Sequence, residues 1–123
     1  MATQRHEIEA WLGDDHGLDD AGILQLMEIS DEINTRYPDP DDQPERDAAL
    51  AAAYRLTAGE APERILTELG AERLAAKRAE LAALAALQQA ALMLIPDRTI
   101  SENAFCTQAD LNRMSVRAWL GKR

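Results

Sequence analysis

The sequence predicts an all-α protein: a helical bundle containing one long Ala/Leu-rich helix. Three observations support this. Aromatic residues number five in 123 and valine occurs once, at Val116, so the material that sheets favour is scarce beside a heavy Ala and Leu load. Apolar residues recur at three- and four-residue intervals, and Gly and Pro punctuate the intervals between those runs. With 46% hydrophobic and 28% charged residues, the chain has enough apolar material for a core that needs no disulfide, metal or lipid. The length suits one compact domain, or one small domain with an appendage, and excludes a large multi-domain enzyme.

The first helix is expected over residues 3–12, with Ile8, Trp11 and Leu12 on one apolar face and Gly13-Asp14-Asp15 ending it. It is short enough to need docking on a larger helix. Past the loop 13–17, Asp19 or Asp20 is placed to cap a helix whose Ile23, Leu26, Met27, Ile29, Ile33 and Tyr37 share a face. Pro38, Pro40 and Pro44 among four aspartate and glutamine positions then force a turn or short linker, because proline lacks the amide donor and restricts its predecessor.

Pro44 fits the first turn of a third helix, expected over 44–58, with Leu50, Tyr54 and Leu56 as core contacts and Gly59 as its stop. Pro62 restarts a helix in the same way. Ile65, Leu66, Leu69, Leu74, Leu81, Leu84, Leu87 and Leu94 carry it to Ile95, with Gly70 as the one candidate break and Pro96 as the end. Such a helix is roughly 50 Å long at 1.5 Å per residue. Its leucines alternate with alanines, so backbones can approach closely, either within a monomeric bundle or between two chains of a coiled coil. This divides the chain into an acidic N-terminal helical region (1–60), a long helix as candidate dimerisation element (61–96) and a C-terminal motif (97–123).

Charge is uneven along the chain. The formal net charge is −9, but residues 1–93 hold 8 basic and 19 acidic side chains, whereas residues 94–123 hold 5 basic and 3 acidic ones. Most of the chain repels nucleic acid, while its tail tolerates it.

The tail, Ile100 through Leu120, carries the most informative pattern. Ser101 is placed to cap a helix reaching Ala109, Asp110 and Leu111 to make a tight turn, and Asn112 to cap a second helix. Ala104, Phe105, Leu111, Val116, Trp119 and Leu120 are expected to close one small core, with Ala104 letting the helices cross closely and Cys106 half buried. That is the spacing of a helix-turn-helix.

These residues resemble the helix-turn-helix of bacterial regulators related to the lambda and Cro repressors and to the resolvase tail, in its form ending V-x-x-W-L. Ala104 matches the small residue of the first helix, Leu111 the apolar turn residue, Asn112 the cap, and Val116 with Trp119-Leu120 the buried face of the recognition helix. The ending is also similar to the tails of small Ala/Arg-rich actinobacterial or phage proteins. One position departs from the pattern: Asp110 stands where glycine is usual, although Asp tolerates the left-handed backbone better than most residues.

The resemblance covers about a quarter of the chain. It implies that Arg113, Met114, Ser115 and Arg117 face base edges in the major groove of double-stranded DNA, and that Arg98, Ser101, Lys122 and Arg123 contact phosphate. One such motif makes few contacts, so a homodimer on a palindromic site is the expected form and transcriptional regulation the expected use. A different reading is an acidic helical adaptor, or a phage or mobile-element inhibitor, that acts by protein contact through residues 1–60 and offers carboxylates as a phosphate-like surface.

Other chemistry finds little support. His6 and His16 are ten residues apart and lack the spacing of a zinc helix. Asp39, Asp41 and Asp42 imitate a calcium loop only until Pro44, where glycine is needed, and Leu50, where the closing glutamate belongs. Cys106 has no histidine near it in sequence, and there is no glycine-rich phosphate loop or serine elbow. No cofactor and no enzymatic activity are expected. The single cysteine, the absence of an apolar leader in residues 1–11 and the lack of a long uncharged apolar run point to the cytoplasm, with no membrane span and nucleoid association when DNA is bound. Eleven arginines against two lysines suggest a GC-rich coding sequence, bacterial or phage.

Overall fold

The computed structural model describes residues 2–122. Among them are six α-helices and no strand: α1 (Arg5–Leu12), α2 (Asp20–Arg36), α3 (Gln43–Thr57), α4 (Pro62–Leu94), α5 (Glu102–Ala109) and α6 (Arg113–Trp119), with a 3₁₀ turn at Pro40–Asp42. The all-α class therefore holds. The chain forms two compact units, Met1–Gly70 and Ala71–Arg123. These apportion α4 between them, whereas the sequence treats residues 61–96 as a segment of its own.

In the first unit α2 is the central element, packed by both α1 and α3. Asp19 caps it by accepting the Gly22 N–H at 2.8 Å, and Ile23, Leu26, Ser30 and Ile33 turn inward at the helical spacing. They meet Ile8 of α1 and Leu50 of α3, with Tyr54, Ala53 and Tyr37 at the margin of this core. The first helix begins at Arg5 rather than at residue 3. The reason is local: the Thr3 N–H donates to Asp31 Oδ1 at 2.6 Å and its hydroxyl donates to Ser30 at 3.2 Å, so Thr3 serves as a tie to α2 instead of a first helical turn.

Two expected core residues lie outside. Trp11 is 40% exposed, because Ile8 and Leu12, four apart, supply the stripe that meets α2. Leu56 is likewise exposed, since the inward face of α3 runs through Leu50, Ala53 and Tyr54 and leaves Leu56 on the far side. The proline-rich segment is an organised turn. The Arg46 guanidinium donates to the carbonyls of Tyr37, Asp39 and Pro40 and to Gln43 Oε1, and the Tyr54 hydroxyl donates to the His16 carbonyl at 2.7 Å, which secures the 13–17 loop.

After α3, Glu60 N–H reaches Arg55 O and Gly59 N–H reaches Leu56 O, the paired bonds of a glycine-stopped helix, with Gly59 at φ +89°. Arg55 then pairs with Glu60 and with Glu68 of α4. The long helix expected from Pro62 to Ile95 forms as α4 and passes without interruption through Gly70, the one candidate break. Isolated glycine costs a helix only about 1 kcal/mol, which the Ala- and Leu-rich stretch that follows it offsets.

In the second unit, Ala91 of α4, Phe105 and Cys106 of α5 and Val116 of α6 form a separate buried core, with Leu87, Ile95, Ile100, Leu111, Trp119 and Leu120 packed around it. Residues 71–83 of α4 are all exposed. Among the described residues no helix is long and apolar enough to cross a membrane.

Candidate nucleic-acid interface

The end of α4 is turned back by a short built loop. Thr99 N–H closes onto Leu94 O at 3.0 Å, Asp97 accepts from the Thr99 N–H and hydroxyl, and Arg98 takes φ +67°. Ser101 then caps α5 by accepting the Ala104 N–H at 3.1 Å. Asp110 ends α5 in the left-handed conformation (φ 53°, ψ 51°), and Asn112 caps α6 by accepting the Met114 N–H at 2.7 Å. Three residues, Asp110, Leu111 and Asn112, thus join two short helices, and each takes the role that its chemistry suits.

The packing between these helices corrects one expected position. Ala104 is exposed, and the small residue against α6 is Cys106, which is buried with Phe105 rather than half exposed. The helical phase decides this: Phe105, Cys106 and Ala109 share the side that meets Val116, and Ala104 falls away from it.

The opposite face of α6 carries three of the four expected base-reading residues in the open. Arg113 has 60% of its side chain exposed, Met114 is 74% exposed, and Ser115 is exposed as well. Arg117 is engaged elsewhere. It lies 3.1 Å from Glu102 Oε2, with Arg113 at 3.8 Å from the same oxygen, while Lys122 bonds Glu102 Oε1.

Glu102, only 12% exposed, is therefore a hub for three cations from α6 and the residues after it. The hydrogen bond from Lys122, then the charges of Lys122 and Arg117, hold its carboxyl below the usual glutamate range against the opposing effect of partial burial. Of the expected phosphate contacts, Lys122 belongs to this cluster, the Ser101 oxygen is occupied as a cap, Arg98 is exposed on the turn, and Arg123 lies outside the described residues.

Sequence reading overlooked Glu102. The available signal was the four-residue spacing of Arg113 and Arg117, which places both on one face, together with the lone acidic residue of the two helices. It also overlooked Arg73, Lys77 and Arg78, exposed on α4 and concealed in the acidic count of residues 1–93. Counted by unit, residues 71–123 hold 8 basic and 5 acidic side chains, a formal +3. No group of three or more metal-ligating side chains is assembled among the described residues. No family model, curated protein or solved structure matches this chain.

Proposed function

We propose that the protein binds double-stranded DNA sequence-specifically through residues 97–123, with α6 in the major groove, and acts as a dimeric transcriptional regulator in the cytoplasm. The observation that carries this reading is the two-sidedness of α6: Val116 fixes one side in the core while Met114 and Ser115 are exposed on the other, with Arg113 beside them, 60% exposed and 3.8 Å from Glu102 Oε2. Arginine can pair bidentately with guanine, Met114 can meet a thymine methyl, and Ser115 serves either a base edge or a phosphate. Arg117 and Lys122, gathered by Glu102, leave a net positive cluster beside the helix for the phosphate backbone. The exposed Leu74 and Leu81 of α4, set among alanines, are the surface assigned to a second copy.

The test is selection of fragmented genomic and mobile-element DNA by the wild type and by an Arg113→Ala/Met114→Ala variant, both of whose substituted residues are exposed. Enrichment of a repeated half-site by the wild type alone is the expected result, with affinity falling log-linearly in salt at a slope set by the few phosphate contacts. Equal enrichment, or none, sinks the reading.

A second reading draws on a separate observation. Residues 1–70 hold 17 acidic and 5 basic side chains, a formal −12, which suits contact with a basic protein surface. In that reading the protein is an acidic adaptor or phage inhibitor, and the Arg113→Ala/Met114→Ala variant retains full function.

A further inference from the structure

We propose that a cavity in the first unit is a binding site for a single arginine side chain presented by a partner protein. The cavity measures about 160 Å³ and opens among α1, α2 and α3. Pockets for cofactors and drug-sized ligands run from about 300 Å³ upward, so this one has the scale of a side-chain head.

Its lining is chemically divided. Ile8, Ile33 and Leu50 of the core make an apolar floor that suits the methylenes of a long side chain. Trp11, the aromatic residue that the core leaves 40% exposed, lines the same cavity. An indole face is the strongest side-chain partner for a cation, and a planar guanidinium stacks on it where an ammonium does not.

Glu7 and Asp47 supply the anionic groups of the lining. Each spends one oxygen inside the protein and keeps the other: Asp47 Oδ1 accepts from Gln43 Nε2 at 2.8 Å, and Glu7 Oε2 accepts from the Gln4 N–H at 3.4 Å. Carboxylate oxygens of this kind match the fork of guanidinium donors. Arg46 also lines the cavity, but its terminal nitrogens are bonded to the carbonyls of Tyr37, Asp39 and Pro40 and to Gln43 Oε1. Two carboxylates against one guanidinium leave the cavity at −1, which one further arginine neutralises. The surrounding unit, at −12, steers a basic partner toward it.

This site lies wholly within residues 1–70 and does not rest on DNA binding by the second unit, so its test contains no DNA. Full-length isotope-labelled protein is titrated with acetyl-Gly-Arg-Gly-amide, and the indole N–H of Trp11, assigned with a Trp11→Phe variant, is followed by NMR with the backbone amides. Saturable shifts confined to the cavity lining are expected. The same peptide with neutral citrulline is expected to produce none, and the lysine peptide is expected to bind more weakly. A Glu7→Gln/Asp47→Asn variant of unchanged helicity is expected to weaken the arginine peptide about tenfold or more; the exposed Trp11→Leu is a second variant that leaves the core intact and is expected to weaken it too. Equal response to citrulline, equal response to lysine, shifts outside the cavity, or undiminished binding by both variants overturns the proposal.

Discussion

Residues 1–70 carry a formal −12 and residues 71–123 a formal +3, so the overall −9 describes neither unit. The units also build their cores differently. In the first, α2 alone contributes Ile23, Leu26, Ser30 and Ile33, and the shorter α1 and the facing α3 add one buried residue each, Ile8 and Leu50. In the second, no single helix dominates: Ala91, Phe105, Cys106 and Val116 come from three helices, two of them of eight residues or fewer, which in isolation are too short to be stable. The first unit is thus organised by one amphipathic helix and the second by mutual packing around tight turns. Helices that depend on such packing present fixed outward faces, and the outward face of α6 carries the exposed Met114 and Ser115.

The contrast can be broken most sharply through the cores. Leu26→Ala removes a fully buried side chain from the organising helix and is expected to destabilise the first unit by about 2–5 kcal/mol. Val116→Ala deletes two buried methyl groups from the second and is expected to cost about 2 kcal/mol. Amide hydrogen exchange checks both, with protection falling across α2 in one variant and across α5 and α6 in the other. Uniform loss in both variants would show one cooperative block and dissolve the comparison.

Gly70 marks the division between units and sits inside α4 with open space around the position of a Cβ. Gly70→Ala is therefore expected to stabilise the protein by about 0.5–1 kcal/mol, read by chemical denaturation. A loss of stability instead would mean that α4 needs the freedom of glycine there.

The finest discrimination is by pH. The Glu102 carboxyl is held low chiefly by the Lys122 hydrogen bond, with the charges of Lys122 and Arg117 adding to it. A lowered carboxyl pKa contributes stability above the unfolded value of about 4.3, and that contribution is lost as pH falls through the folded value. In the first unit Asp31, held low by the Thr3 side chain and backbone, and Glu68, held low by Arg55 and Arg64, lose their contributions in the same direction. Glu102→Gln is expected to flatten the acid sensitivity of α5 and α6 while that of α2 persists, as followed by hydrogen exchange below pH 5.

Helix caps and turns were the most legible features of the sequence. Asp19, Ser101 and Asn112 each take the capping position that their short polar side chains favour, and Asp110 accepts the left-handed turn that few other residues tolerate. Less legible was which side of a short helix faces inward. Periodicity placed Trp11, Leu56 and Ala104 in cores that pass them by, because even a helix of a few turns offers several apolar arcs and the neighbouring element selects one. The spacing of Arg113 and Arg117 and the lone acid of α5 and α6 hinted at the Glu102 cluster, but nothing in the order of residues brings Lys122 to Glu102, or Trp11 to Asp47.

The sequence by itself determined the helical class, the caps, the turns at Gly59 and Asp110, and the uneven charge, since all of these follow from backbone preferences and composition acting within a few residues. Only the tertiary structure decided that Cys106 rather than Ala104 is enclosed, that one carboxylate gathers the cations of the tail, and that Trp11 lines a cavity. These outcomes depend on which surfaces meet across long sequence separations, where burial and pairing energies exceed the local preference of any one residue.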